Sequence, residues 1–508
     1  MTEQKKILFF NQLISKVEEL KGEGKKIVQS HGIFDLIHPG IIKHLNEAKE
    51  QGDVLIVTVI KDKDVRKGPG RPIFPEKLRL ENVSSLEQVD YVCLVDDETP
   101  FSCVKSIKPD VFAKGHAYKE LGNKIYDKIF EEEKEFYFEK SRIYETRGFS
   151  FSSSEIINKF LDIYPDDTKG FLKDFSLKYS FDEIVENLNK LKKLNVLVIG
   201  DGIIDEYHYC QPMGKSPKSP IIVNKYITHE VFAGGAFIIA NHLAGLCDNV
   251  HLVTLLGNDD SREDFIINNL KQNITTKFFY RNDGPTICKK RYIEQYHNQK
   301  LFEINYLNNN YIDADCEFDV NSYLKSTLPE YDIVLVSDFG HGFITDKIIE
   351  VIESFSKVFA VNTQTNSANS GYNMITKYRK PNFVCLDEGE ARLATQDRFG
   401  EIDDIAKKLS KTLNTDCLII TQGRKGSIGI DRNGEINRTP IFSTKVIDTV
   451  GAGDAFFAFT APCFVQGLQL DFISFIGNAV GALAVQIVGN KKPVEKYELL
   501  EFINAMLR

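Results

Sequence analysis

Runs of β-branched and other apolar residues, each closed by a polar residue, recur along this chain and are separated by stretches with helical periodicity. The runs at 26–29 and 194–200 open two segments in the same way, with a turn containing Gly and Asp followed by a helical pattern. Strands covered by helices on both faces carry such near-continuous apolar sequence, so the pattern predicts parallel α/β units. In the first segment the runs at 54–60 and 91–95 continue the alternation and imply a small doubly wound sheet. In the second, the runs at 333–338, 358–362, 383–387 and 417–421 are short strands ending in a polar residue. Ligands of open α/β sheets bind at the carboxyl ends of strands, which makes those polar residues site candidates. Residues 207–231 break the rhythm with β-like alternation around a Ser-Pro-Lys-Ser-Pro stretch at 216–220. They are read as a strand flap over the site, with an edge open to pairing with a second subunit as a homodimer. The polar stretch 164–173, with Pro165 and Gly170, is the expected linker, and it sets domains of 1–162 and 163–508.

Length and composition agree with two folded domains: 508 residues exceed what one core holds comfortably, with 42% hydrophobic and 27% charged. A formal charge of -9 argues against broad electrostatic binding to nucleic acid or to an anionic membrane surface. Neither is expected as a partner, and a phosphorylated substrate needs local positive groups. The nine cysteines include no Cys-x-x-Cys pair, so they read as buried thiols of a reducing compartment. No apolar run approaches the roughly 18 residues of a membrane helix, and the cytoplasm is the expected location.

Chemistry concentrates in the run from Asp448 to Asp454. Gly451, Ala452 and Gly453 let the backbone approach a ligand closely, and the apolar residues 455–459 predict a buried helix whose amino terminus faces the glycines. Such an end is an anion hole. Asp454, at the start of that helix, is the candidate catalytic base for an attacking hydroxyl.

This run resembles the ribokinase-like (PfkB) sugar kinases, and the resemblance extends from about residue 194 to the carboxyl terminus. Supporting residues follow in the family's order. Asp201, after Gly200, and Asp205 resemble the motif that orients substrate hydroxyls, and Gly234 and Gly235 the glycine pair beneath the sugar. Asp387 and Glu390 resemble the Asn-x-x-Glu motif associated with Mg²⁺ and phosphates, with Glu390 acting on the metal through water. Thr421, Gly423 and Gly426 match the strand-end turn that lines ATP. Within the family the likeness is to heptose 7-phosphate kinases, whose pattern changes here at the sugar end: Ile238 replaces an Asn, the Ser-Asp-Tyr-x-Lys-Gly motif becomes 337–342 with Asp338, Phe339 and His341, and Asp-Pro-Lys becomes Asn362, Thr363 and Gln364. Such groups discriminate strongly between substrates, so a different sugar acceptor is expected.

Near the amino terminus, Gly32, Phe34, Asp35 and His38 follow a predicted strand and precede a helix expected near Ile41. This strand-loop-helix resembles the cytidylyltransferase-type nucleotidyltransferases, whose signature ends His-x-Gly-His, over about residues 26–160. The resemblance implies His38 as a catalytic phosphate contact and Arg79, Lys114, Ser152, Ser153 and Ser154 around the triphosphate of ATP or CTP. Gly115, His116 and Tyr118 belong to the same match. Ile41 stands where the second motif His belongs, and His44 lies one turn further on. The combined resemblance is to bifunctional heptose kinase/adenylyltransferase proteins, with the domain order reversed. The expected fold is therefore α/β with two doubly wound domains, a Rossmann-like nucleotidyltransferase and a ribokinase-like kinase with a β flap. The expected function is phosphorylation of a sugar or sugar phosphate and nucleotidylation of a sugar phosphate for surface-polysaccharide precursors. A kinase with an impaired nucleotide-binding or assembly module, and a ligand-sensing scaffold without catalysis, are the two alternatives.

Overall fold

The apolar runs of the first segment become strands β1 (Ile27–Gly32), β2 (Val54–Ile60) and β3 (Tyr91–Val95), joined by β4 (Val111–Lys114) and β5 (Arg142–Glu145). The computed structural model describes residues 6–65, 67–68, 70–96, 101–114, 142–146, 156–158, 164–367, 369–443 and 445–507. These five strands pair in parallel in the order β3-β2-β1-β4-β5. The order reverses between β1 and β4, and that switch point is where a doubly wound sheet opens a crevice at its carboxyl edge. One face of the sheet packs Val17, Leu20 and Cys103, and the other packs Leu45, Ala48 and Val83.

The chain divides into two compact units, Met1–Val185 with Tyr497–Arg508, and Glu186–Lys496. The first unit thus runs past the expected boundary at 162 and takes in the last helix. The stretch expected as a linker is instead the helix Asp166–Lys178, started by Pro165 and carrying Asp166 and Asp167 in its first turn. Thr168, Leu172 and Phe175, spaced four and three residues apart, are its buried stripe, and that stripe overrides the polar composition.

In the second unit the apolar runs form a nine-stranded sheet. Its strands are β6 (Asn195–Gly200), β9 (Asn249–Gly257), β10 (Ile274–Arg281), β13 (Ile333–Asp338), β14 (Phe359–Thr363), β15 (Phe383–Asp387), β16 (Cys417–Thr421), β17 (Ser427–Asp431) and β18 (Ile436–Thr439). The order is β10-β9-β6-β13-β14-β15-β16-β17-β18, parallel as far as β16 and antiparallel at the β17-β18 edge. The flap is a separate four-stranded sheet of β12 (Gln299–Tyr306), β11 (Cys288–Glu294), β7 (Gly202–Lys215) and β8 (Ile222–Gly235), in that order. It is larger than the single strand region expected from 207–231. Among the described residues, no helix is long and apolar enough to cross a membrane.

Candidate active site

The helix Ala452–Val465 is buried continuously from Asp454 to Cys463, which a segment apolar on all sides requires. Its amino end opens on a cavity of about 590 Å³, whose wall includes Gly451, Ala452, Gly453 and Asp454. The first-turn N–H groups of a helix have no intrahelical acceptors and carry the positive end of its dipole. Gly451 precedes the helix with φ of 83°, and a Cβ there would collide with Oδ1 of Asn490. Glycine is needed on both counts.

Asp454 is 5% exposed. Its Oδ1 accepts a hydrogen bond from Gln364 Nε2 at 2.7 Å. Burial pushes its carboxyl up to about 7; Asp205 adds to the rise, while the Gln364 amide and Lys289 oppose it. A carboxyl poised near neutrality is suited to take a proton from a hydroxyl. At the other end of the motif, Asp448 accepts from Tyr207 Oη and Lys300 Nζ, both at 2.8 Å, and from the N–H groups of Val450 at 3.2 Å and Gly489 at 2.9 Å. Burial alone would raise its carboxyl, but Lys300 and Tyr207 outweigh burial and hold it below the ordinary range.

Toward the acceptor end, Asp205 joins the cavity wall with its Oδ2 bonded to Asn490 Nδ2 at 3.0 Å and its Oδ1 paired with Arg291. Gly234 leaves room for this pair, since a Cβ there would meet both Asp205 Oδ2 and Asn490 Nδ2, and Gly235 lies on the wall with φ of 58°. Lys289 also lines the cavity; burial lowers its ammonium pKa, and Asp205 opposes that shift. Asp201 and Asp338, expected as sugar contacts, lie outside this wall. Asp201 Oδ2 accepts from the N–H groups of Phe339 at 3.0 Å and His341 at 3.3 Å. Asp338 accepts from Gly340 N, Tyr378 Oη and Lys377 Nζ. Both carboxylates shape the 338–342 turn. Ile238 and His341 are also off the wall, the former in the core and the latter hydrogen-bonded to Asn309 at 2.8 Å. Asn362, Gln364 and Phe339 do reach the cavity.

The opposite end carries the expected nucleotide residues. Thr421, Gly423 and Gly426 lie on the wall, with Gly423 and Gly426 at φ of 56° and 93°. Asp387 begins the helix Glu388–Thr395, where it accepts from Gly389 N at 2.7 Å. Glu390 takes the N–H groups of Thr365 and Asp387 at 3.0 and 2.9 Å, and burial raises its carboxyl to about 7 against those two bonds. Ile441, Phe442, Val446 and Val485 give this end an apolar wall.

Lys289, Arg291 and Asn490 were not anticipated, and Gln364 was singled out only as a departure at the sugar end, without its contact to Asp454. Lys289 and Arg291 alternate along β11 and therefore share one face, a signal readable only once 288–294 is assigned as a strand. Asn490 follows a glycine after an apolar helix, a pattern with no distinctive chemistry of its own.

In the first unit, Gly32 and Lys114 end β1 and β4 at the switch point. Phe34 adopts φ of 52° in the intervening loop. The helix begins at Pro39, two residues before the expected Ile41, because His38 caps it: His38 Nδ1 accepts from Gly40 N at 3.2 Å. Accepting at Nδ1 puts the proton of a neutral ring on Nε2, and burial lowers the pKa of this ring. The loop thus carries an N–H donor. Arg79, expected beside a triphosphate, is instead wholly buried. Its guanidinium bonds to the carbonyls of Phe74, Ile33 and Ile60 and to Asp62, so it fastens the loops from within. His44, which might have replaced the missing motif His, bonds through its two ring nitrogens to Ser30 and Thr146, both at 2.8 Å. Burial lowers its pKa to about 4. Ser152, Ser153 and Ser154, with Gly115, His116 and Tyr118, lie outside the described residues.

In the second unit a helix amino end, a buried carboxyl beside it and residues of the four-stranded flap sheet share one cavity within a doubly wound α/β fold. The model of the pfkB family carbohydrate kinases matches residues 193–496, more than half of the chain, and the chain belongs to that family. A second model, cytidylyltransferase-like, matches residues 30–159. The bifunctional protein HldE of Hydrogenovibrio crunogenus is 26% identical over 332 residues, 63% of this chain and 65% of that protein. The protein of the same name from Nitratiruptor sp. is 47% identical over 110 residues, 21% of this chain and 23% of that protein. The chain therefore covers less than two thirds of these relatives. Phosphofructokinase-2 from Escherichia coli, solved in complex with potassium, aligns with a TM-score of 0.52 at 12% identity over 62% of this chain and 100% of its own. That likeness is one of fold.

A carboxyl that titrates near 7 when folded, against an ordinary 3.8, binds its proton more tightly in the folded chain. Its contribution to stability is therefore largest at acid pH and is lost as the pH rises through 7. Asp454→Asn removes this loss and is expected to stabilise the protein by about 1 kcal/mol or more near pH 8, with little change near pH 4. Urea unfolding at the two pH values measures it, and a variant less stable than the parent near pH 8 would contradict the assignment.

Proposed function

We propose that the second unit phosphorylates a hydroxyl of a sugar or sugar phosphate with ATP, and that the first unit nucleotidylates a sugar phosphate, as steps toward an activated sugar for a surface polysaccharide. The observation that carries the kinase reading is the buried Asp454 carboxyl at the amino end of an apolar helix, in one cavity with Gly451, Ala452 and Gly453. In this reaction Asp454 takes the acceptor proton as the hydroxyl oxygen bonds to the γ-phosphorus. The bond from phosphorus to the bridging oxygen breaks, and ADP leaves. The helix-end N–H groups hold the phosphoryl oxygens throughout. Asp205, Lys289 and Arg291 bind the acceptor, and Thr421, Gly423 and Gly426 bind ATP.

The oxygen donors Asp387 and Glu390 fit Mg²⁺. Among the described residues no group of three metal-ligating side chains forms a cage, so these two carboxylates would hold the cation through water and the nucleotide's own oxygens. When bound, Mg²⁺ neutralises phosphate charge.

In the first unit, the N–H of His38 supplies a phosphate contact for ATP or CTP, with Gly32, Phe34 and Lys114 at the same sheet edge. A second reading keeps the kinase and makes the first unit a nucleotide-binding or assembly module. Ile41 favours it, because an apolar side chain cannot donate to phosphate and His44 is engaged elsewhere.

The homodimer reading rests on the flap. Phe302, Tyr292, His208 and His229 stack in a row across its four strands with centroids 4.6, 5.0 and 5.2 Å apart, and Phe302 is 50% exposed. A second copy of the flap would cover this row.

Three measurements test these proposals on the full chain. ATP consumption with a panel of sugars and sugar phosphates is expected for the parent and to fall about 10²- to 10⁴-fold in Asp454→Asn; equal rates would overturn the base assignment. Pyrophosphate release from ATP or CTP is expected to rise in Ile41→His, by up to about 10²-fold, and no gain would favour the second reading. Phe302→Lys is expected to convert a sedimenting dimer to monomer, whereas an unchanged mass would remove the flap as the interface.

A further inference from the structure

Asp454 does not stand alone in the cavity, and the group that holds it has a fixed polarity. Asn362 Nδ2 donates to the carbonyl oxygen of Cys385 at 2.9 Å. A backbone carbonyl only accepts, so this bond fixes which way the Asn362 amide faces and turns its Oδ1 toward Gln364. Gln364 Nε2 donates to that Oδ1 at 3.1 Å and to Asp454 Oδ1 at 2.7 Å. Both N–H groups of the Gln364 amide are thereby assigned. The main chain of Gln364 is held too, its N–H donating to Asp338 O at 2.9 Å and its carbonyl accepting from Asn373 Nδ2 at 3.1 Å.

We propose that Gln364 is a positioning residue for the phosphoryl-transfer base: an amide relay from the Cys385 carbonyl through Asn362 and Gln364 holds Oδ1 of Asp454 and leaves its Oδ2 to receive the acceptor proton. The proposal rests on the kinase reading of this cavity. The relay explains why two amides occupy positions where the heptose kinase pattern carries Asp and Lys. A lysine beside Asp454 would pin the carboxylate by charge, whereas a neutral amide pins it by direction alone and leaves it more basic. Gln364 itself lines the cavity, and its Oε1, not engaged by the relay, is an acceptor for a second hydroxyl of the same substrate. A polyol presenting two neighbouring hydroxyls matches this pair better than a lone alcohol.

The charged and titratable groups that face Asp454 come from four elements: Asp205 on β7, with its partner Arg291 and Lys289 on β11, Cys385 on β15, and Glu390 on the helix that follows it. The test changes Gln364 and leaves these in place. Infrared difference spectra of each variant against its own Asp454→Asn version isolate the protonated Asp454 carboxyl and follow it from about pH 5 to about pH 9 without any acceptor. Gln364→Lys is expected to move that midpoint down by a unit or more. Gln364→Ala is expected to move it up, because it withdraws a hydrogen bond from the ionised form, and Asn362→Leu to move it up by less, because it removes the acceptor that orients the Gln364 amide. With MgATP and an acceptor from the panel, Gln364→Ala is expected to lower kcat at least tenfold with the KM for ATP unchanged, and the acid limb of the pH profile should follow the infrared midpoint. Unchanged midpoints in Gln364→Lys and Gln364→Ala would overturn the relay, and so would a loss confined to the KM for ATP. If the midpoints move as expected while no acceptor sustains turnover, the relay stands and the kinase reading falls.

Discussion

The carboxylate of Asp448 joins three parts of the second unit that sequence separates widely. It takes hydrogen bonds from Tyr207 on β7, from Lys300 on β12, and from the backbone at Val450 and Gly489. Four donors around one buried carboxylate offset the cost of removing it from water, which is large for an unpaired charge. The anion loop, the flap and the turn before Asn490 are fixed relative to one another through this group. From that turn Asn490 reaches Asp205, and its amide oxygen occupies the space a side chain at Gly451 would need. The geometry of both the phosphate end and the acceptor end follows from one anchor.

Around this frame the cavity gathers more carboxyl groups than its cations pair. Asp454 and Glu390 are each raised to about 7 by burial, while Asp205 is paired with Arg291. Such a site favours a ligand that brings its own cation or gives a proton to an ionised carboxylate; on the proposed reading MgATP does the first and the acceptor hydroxyl the second. The flap supplies Lys289 and Arg291 to the cavity wall, so on the proposed reading acceptor recognition resides in that sheet.

Much of this was legible in the sequence where a residue type had one physical use. Apolar runs became parallel strands, and the glycines at 234, 235, 423, 426 and 451 sit where backbone conformation or close contact excludes other side chains. Residues with several possible uses were harder to place. Arg79 matched a phosphate contact in pattern, yet three carbonyls and Asp62 claim its guanidinium. Asp201 and Asp338 lie beside the acceptor end but serve the turn that forms its floor. The segment after Pro165 reads as polar, and only the spacing of Thr168, Leu172 and Phe175 marks it as a helix. Lys289 and Arg291 escaped notice because pairing across the flap, rather than local pattern, brings them to the cavity.

The central claim is that the amino end of the helix Ala452–Val465 holds the transferring phosphoryl group beside Asp454. A crystal structure of the full chain with Mg²⁺ and a non-hydrolysable ATP analogue tests it most directly. The account predicts the γ-phosphate within hydrogen-bonding distance of the N–H groups at Gly453 and Asp454, with the base of the nucleotide against Phe442 and Val485. A nucleotide bound with its γ-phosphate away from this helix end would contradict it.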